Sequence, residues 1–176
     1  AYRWRGELVE ADRAGSDAMA SLPIGSTFWW LAAREAVLSA GARGDAVKVA
    51  ALAEEMMRLL PTTQPDASNV GTLTCTATYL MHTGDRSRLV RFLQWTEALV
   101  RNAPNEPPAV AARLFQMQAL RAIYEGNLGG YLQSSEAAAD RFTAAQDPRN
   151  SLTQRVNAAF AKLELGAYAQ AEADLR

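Results

Sequence analysis

Cysteine and histidine are almost missing: Cys75 and His82 stand alone in 176 residues. A single cysteine excludes an internal disulfide framework and a cysteine-cluster zinc site. A single histidine excludes any site built on several of them. An excess of one charge is missing too, since eighteen basic side chains meet nineteen acidic ones for a formal charge of −1. There is thus no whole-chain basic field to draw in nucleic acid or an anionic membrane. No apolar run approaches the ~20 residues of a membrane helix. Isoleucine is confined to Ile24 and Ile123, which argues against a large parallel-sheet core. Lysine is confined to Lys48 and Lys162, so the other sixteen basic residues are arginine. What is there in quantity is alanine, arginine, glutamate and leucine, all strong helix formers. Hydrophobic residues make up 49%, too many for a disordered tail. The length suits one ordinary domain or a short repeat array. The expected class is a soluble, cytoplasmic, all-α protein, and the arginine and alanine bias suggests a GC-rich bacterial genome.

The seven prolines are grouped. Pro23 stands alone, Pro61 and Pro65 form a pair, Pro104, Pro107 and Pro108 form a cluster, and Pro148 stands alone. Proline breaks helix interiors and is tolerated in first turns and loops. The four sites therefore read as loops between larger units. Glycines fall between them, at Gly6, Gly44, Gly84, Gly126 and Gly166, with spacings of 38, 40, 42 and 40 residues. Glycine closes a helix in a left-handed turn, and the Asp or Asn that follows at Asp45, Asp85 and Asn127 can cap the next one. An apolar residue recurs five positions after each glycine. A period near 40 that alternates glycine turns with proline loops is the signature of helix-pair repeats.

The intervening segments have helical periodicity. The stripes are Val49, Ala53, Met56 or Met57 and Leu60; Leu89, Phe92 or Leu93, Leu99 and Val100; Val110, Leu114, Met117 and Ile123 or Tyr124; and Leu152, Val156, Ala159 or Phe160 and Leu163. Ser26 is placed to cap the helix that starts at Thr27. The reading predicts helices over 7–20, 26–43, 45–60, 67–83, 85–102, 108–125, 127–145, 150–165 and 167–176. The chain begins at Ala1 without an initiator methionine and stops about ten residues into its last helix. Repeat arrays finish in polar-faced caps, and neither end supplies one. The expectation is a single domain over 1–176 cut from a longer chain, with no targeting segment to read.

The run Leu165-Gly166-Ala167-Tyr168-Ala169-Gln170-Ala171 resembles the tetratricopeptide (TPR) pattern Leu-Gly-x-Tyr-x-x-Ala, which closes one helix and opens the next. Leu128 and Tyr131 after Gly126, and Leu8 and Ala11 after Gly6, match it in part. Gly84 is followed by Arg86 where the family prefers an aromatic, and the period is longer than the family's usual ~34 residues. The resemblance implies a right-handed α-α superhelix of about 4.5 helix pairs, over 1–22, 26–60, 67–102, 108–145 and 150–176. Such long-period arrays look like those of large bacterial signalling proteins, among them Ser/Thr kinases, signalling ATPases and LuxR-type regulators.

The resemblance also implies that the first helix of each pair lines a concave face. Counting back from each turn glycine places Arg34 and Glu35, then Thr74, Thr78 and His82, then Arg113 and Gln116, then Asn157 and Glu164 on that face. A polar ladder of this kind can hold a peptide through hydrogen bonds and Arg–carboxylate pairs. The same positions also suit the plain solvated faces of amphipathic helices. Adjacent helical residues point about 100° apart, so Trp29 and Trp30 are not both expected to be buried. Trp30 joins the candidate contacts as an outward-facing tryptophan. The partner expected is a protein, a peptide or neighbouring domains of the same chain, and neither nucleic acid nor membrane. The alternative is a small-ligand sensor that regulates an attached ATPase, kinase or transcription-regulator domain.

Other features suggest no chemistry. Cys75 and His82 are seven residues apart, about 10 Å of helical rise and too far to share a metal unaided. Gly126, Gly129 and Gly130 lack the Gly-Lys-Ser/Thr ending of a phosphate loop; the last two weaken their helix start and would permit close helix packing. Arg43-Gly44-Asp45 spells an adhesion tripeptide, but its glycine is in the repeat register. Glu54 and Glu55 lie near Arg58 as surface helix support. No catalytic residue, cofactor site or metal site is expected, and an enzymatic role for this segment is not, although a parent protein would be free to carry one.

Overall fold

The computed structural model describes residues 2–60 and 66–175, with the backbone alone for 98–100, 102 and 103. The expected proline loop at Pro61 and Pro65 and the packing of Leu99 and Val100 lie outside the described residues. Everything regular among the described residues is helical, so the protein is all-α. A short 3-10 turn, Tyr2–Arg5, leads into α1 (Leu8–Ser21), α2 (Thr27–Ala42) and α3 (Ala46–Leu59). Then come α4 (Ala67–His82) and α5 (Arg86–Asn102), a second 3-10 turn at Ala103–Asn105, and α6 (Pro108–Tyr124), α7 (Leu128–Ala144), α8 (Pro148–Glu164) and α9 (Tyr168–Leu175). The helix ends fall within two residues of those read from the sequence.

One turn recurs. At Gly84 the backbone is left-handed (φ +74°). The Gly84 amide donates to the Met81 carbonyl and the Asp85 amide to the Leu80 carbonyl, at 3.2 and 2.9 Å. This is a Schellman-type closure, and it uses carbonyls that the end of a helix leaves unpaired. The Asp85 carboxylate then accepts from the Arg88 amide and caps α5. Gly44, Gly126 and Gly166 repeat the pattern, and Asp45 and Asn127 repeat the cap. Ser26 caps α2 through the Trp29 amide.

The loop expected at Pro148 is this same turn. Gln146 takes the glycine position at φ +57°, the Asp147 amide donates to the Phe142 carbonyl, and the Asp147 carboxylate caps α8 at Asn150. Pro148 is the first residue of α8, where its missing N–H costs nothing. From Gly126 through Gln146 to Gly166 the chain therefore turns every 20 residues. A side chain in the left-handed region costs roughly 1 kcal/mol. Gln146→Gly is expected to raise stability by about that amount in a urea melt; a decrease would show that the glutamine side chain is making a contact worth more than the strain.

The capping carboxylates set an acid limit. Burial alone would raise Asp85, but hydrogen bonds from the Arg88 side chain and backbone outweigh it and hold its carboxyl below the usual range. Asp147 is held low in the same way by Asn150, with the charges of Arg113 and Arg149 adding to it. Folded values below unfolded ones mean the stabilisation is complete above the unfolded value of about 3.9 and is lost as pH falls through the folded one. The melting temperature is expected to decline below about pH 4, with Asp85→Asn/Asp147→Asn flattening the decline.

The described residues divide into two compact units, 1–95 and 96–176, with the division inside α5. In the first, α1 packs on α2, α2 on α4, and α3 touches both α2 and α4. Its interior holds Trp29, Trp30, Val37, Val49, Met56, Leu73, Leu80, Leu89 and Phe92. In the second, α6 packs on α7, α7 on α8 and α8 on α9, around Leu114, Met117, Ala138 and Phe142. The stripes predicted on α3, on the first half of α5 and at Val110, Leu114 and Met117 of α6 are buried. The stripe predicted on α8 is not. Leu152, Val156, Phe160 and Leu163 are exposed, while Ser151, Gln154, Ala158, Ala159 and Ala161 face inward. Apart from Gln154, the helix buries small residues and leaves its bulky apolar ones outside.

Candidate functional site

In the first unit the expected contact face is displaced around α4. Thr74 is buried, and its hydroxyl donates to the Val70 carbonyl, so it is not a groove residue. Thr78 is half-buried and donates to the Thr74 carbonyl. His82 is exposed and stands edge-on to Tyr79, with ring centroids 6.0 Å apart. Cys75, Tyr79 and His82 follow i, i+4, i+7, so the open face of α4 runs through Cys75 and Tyr79 where the count from glycine had placed Thr74. Burial pushes the Tyr79 hydroxyl above its ordinary value, Cys75 adds to that, and the Arg3 guanidinium opposes it.

The Arg3 guanidinium pairs with Glu35 of α2 at 3.0 Å. Arg34 is half-buried beside Glu35. Behind this pair, α1, α2 and the first 3-10 turn enclose an open cleft of about 310 Å³, walled by Ala14, Gly15, Ala18, Leu31 and Ala32. Arg3, Cys75 and Tyr79 went unread because no contact position was counted back from Gly6, which closes the N-terminal 3-10 turn, and because the count from Gly84 put the α4 face one residue off. The i, i+4, i+7 spacing of Cys75, Tyr79 and His82 was the signal available.

Trp30 is not an outward contact. Trp29 and Trp30 are each 1% exposed and meet edge to face at 5.2 Å. The 100° argument assumes a helix buried on one side. α2 is covered by α1 on one flank and by α4 on the other, so both directions point into protein. The Thr72 hydroxyl of α4 donates to the Trp30 carbonyl at 2.9 Å.

In the second unit Arg113 and Gln116 are half-buried and bonded to each other at 3.0 Å. The Arg113 guanidinium also lies over the Phe142 ring, 4.8 Å from its centroid, a cation–π contact that fixes it on α7. Asn157 donates to Gln154, which is buried, and Glu164 is exposed at the end of α8. On the other side of α8 lies an open cleft of about 340 Å³ between α7, α8 and α9. Lys162 spans it, pairing with Asp174 at 2.5 Å and Glu136 at 2.9 Å. These bonds hold its ammonium above the ordinary lysine value.

Three features singled out from the sequence have local explanations. Arg43 pairs with buried Asp12 at 2.6 Å and Asp45 caps α3, so the Arg43-Gly44-Asp45 tripeptide is built into the turn. Glu54 does not support its own helix beside Arg58 as expected; it pairs with Arg88 and Arg91 of α5. Gly129 and Gly130 do not permit close helix packing as expected; a Cβ at either would meet only the Asn127 side chain. Among the described residues no group of three His, Cys, Asp or Glu can hold a metal ion, and no helix is long and apolar enough to cross a membrane.

Comparison with family models, with curated proteins and with solved structures finds no match for this chain.

Proposed function

We propose that the chain is a TPR-like interaction scaffold, a right-handed α-α superhelix of about 4.5 helix pairs. It binds a peptide or a partner domain along the first helices of its pairs, as a non-catalytic regulatory segment of a larger bacterial signalling protein. What carries this reading is the polar and aromatic make-up of the first unit, where Glu35 on α2 pairs with Arg3 and, on α4, exposed His82 stands edge-on to half-buried Tyr79. Together these residues offer a carboxylate, a guanidinium, a phenol and an imidazole. That is the mix of donors and acceptors an extended peptide needs. Arg113, Gln116 and Asn157 extend the same chemistry in the second unit.

The test is a fluorescence-polarisation screen of a defined peptide array against the intact chain. Binding is expected, and Glu35→Ala with His82→Ala should weaken it five- to tenfold, about 1 to 1.4 kcal/mol. Arg113→Glu is expected to weaken peptides that bind the second unit. Affinity unchanged in all three variants would move the contact elsewhere. A second reading, a small-ligand sensor, draws on the cleft of about 310 Å³ in the first unit, which falls at the lower end of ligand-pocket sizes. A metabolite that fills it raises the melting temperature by mass action, and a flat thermal-shift panel counts against it.

A further inference from the structure

The outer face of α8 carries an apolar stripe with no covering element among the described residues. Leu152, Val156, Phe160 and Leu163 recur at i, i+4, i+8 and i+11 and are 63, 49, 46 and 41% exposed. They span about 16 Å of helical rise. Single exposed apolar residues are ordinary, but a continuous stripe marks an interaction surface.

The turn glycines say what kind of surface it is. Counting from Gly166 and from Gly44, the stripe corresponds to Trp30, Arg34, Leu38 and Gly41 of α2. On α2 that face is covered by a helix: Thr72 of α4 bonds the Trp30 carbonyl, and the Tyr79 ring lies against Gly41. The stripe on α8 is thus a helix-packing face of the same register, made more apolar and left open.

We propose that α8 pairs antiparallel with α8 of a second copy of this chain. The stripe is self-complementary. A two-fold axis near residue 158 sets Val156 level with Phe160 and Leu152 within one residue of Leu163, so apolar side chains meet at the centre of the contact. The same axis brings Arg149, at the start of one α8, beside the exposed Glu164 at the end of the other, within a helical turn. Both ends of the contact therefore close on opposite charges. Isologous two-fold pairing is the commonest closed arrangement. One helix pair lies below the ~1,200 Å² of a standard interface, so the dimer is concentration-dependent. It uses a different face from the peptide reading and does not rest on it.

Analytical ultracentrifugation of the chain between low and high micromolar concentration tests the pairing. The weight-average mass is expected to rise from monomer toward dimer. Phe160→Glu and Val156→Glu should each hold the protein monomeric throughout, with an unchanged circular dichroism spectrum and melting temperature, because both side chains are exposed in the monomer. Arg149→Glu should weaken the dimer at least tenfold, and adding Glu164→Arg should restore it. A native chain that stays monomeric overturns the proposal. A dimer that survives both glutamate variants overturns it as well, and failure of the charge swap to restore pairing overturns the antiparallel register.

Discussion

Trp30→Ala is expected to destabilise the first unit by about 3–5 kcal/mol, the usual cost of emptying a buried aromatic site. The indole is 1% exposed and packed edge-on against Trp29. An edge-to-face aromatic pair adds roughly 0.5–1.5 kcal/mol beyond the area it buries. α2 and α4 also meet through the Trp30 backbone, where Thr72 donates, so a cavity beside that bond loosens the α2–α4 contact. Natural domains are stable by only about 5–15 kcal/mol. The melting temperature should therefore fall by more than about 10 °C, read by circular dichroism, and Trp30→Phe should recover much of the loss. A surface tryptophan used for partner contact would behave the other way, with an unchanged melt and weakened binding. A melting temperature within about two degrees of the native one would contradict the buried pair.

The helices were legible because their ends are written locally. Gly44, Gly84, Gly126 and Gly166 do adopt the left-handed backbone their positions called for, and Asp45, Asp85, Asn127 and Ser26 do cap. Each of these signals acts within four residues of itself. The face of each helix was less legible, because it depends on how many neighbours the helix has. α2 and α4 are covered on two sides, which hides Trp30 and Thr74 although the angle between adjacent residues and the count from the turn glycine assign them to an open face. α8 fails in the opposite sense. Its large apolar residues sit at core spacing, yet the residues it buries are Ser151, Gln154, Ala158, Ala159 and Ala161. Gln146 was invisible for a third reason: a turn signal sought in glycine does not register when the left-handed position is held by another residue. Within the candidate face, register alone proposes Glu35 and His82, whereas Arg3 lies in the short turn closed by Gly6, from which no contact position was counted.

Gly15→Val is expected to cost about 2–3 kcal/mol, at the upper end for an overpacked site. Gly15 faces backbone, not side chain. A Cβ placed on it would lie 3.0 Å from the Ala36 nitrogen, 3.2 Å from the Ala32 carbonyl oxygen and 3.3 Å from the Ala36 Cα. Helix propensity favours the change by up to about 1 kcal/mol, so any net loss measures the clash. A β-branched side chain cannot rotate away, since its χ1 is nearly fixed in a helix. The only relief is to move α1 off α2, and α1 is tied there. Buried Asp12, one turn before Gly15, holds Arg43 and Lys48 at 2.6 Å each, and Ser16 accepts from Lys48 at 2.9 Å. Separation would stretch those bonds around a carboxylate that is only 7% exposed, where a lost partner is costly. Gly129→Ala provides the control, because a Cβ there meets nothing closer than Asn127 Oδ1 at 3.8 Å. It should gain a few tenths of a kcal/mol from propensity alone. Opposite signs for Gly15→Val and Gly129→Ala in urea melts are the expected result. A stabilising Gly15→Val would mean that α1 and α2 are not in backbone contact, and with that the close α1–α2 packing would have to be given up.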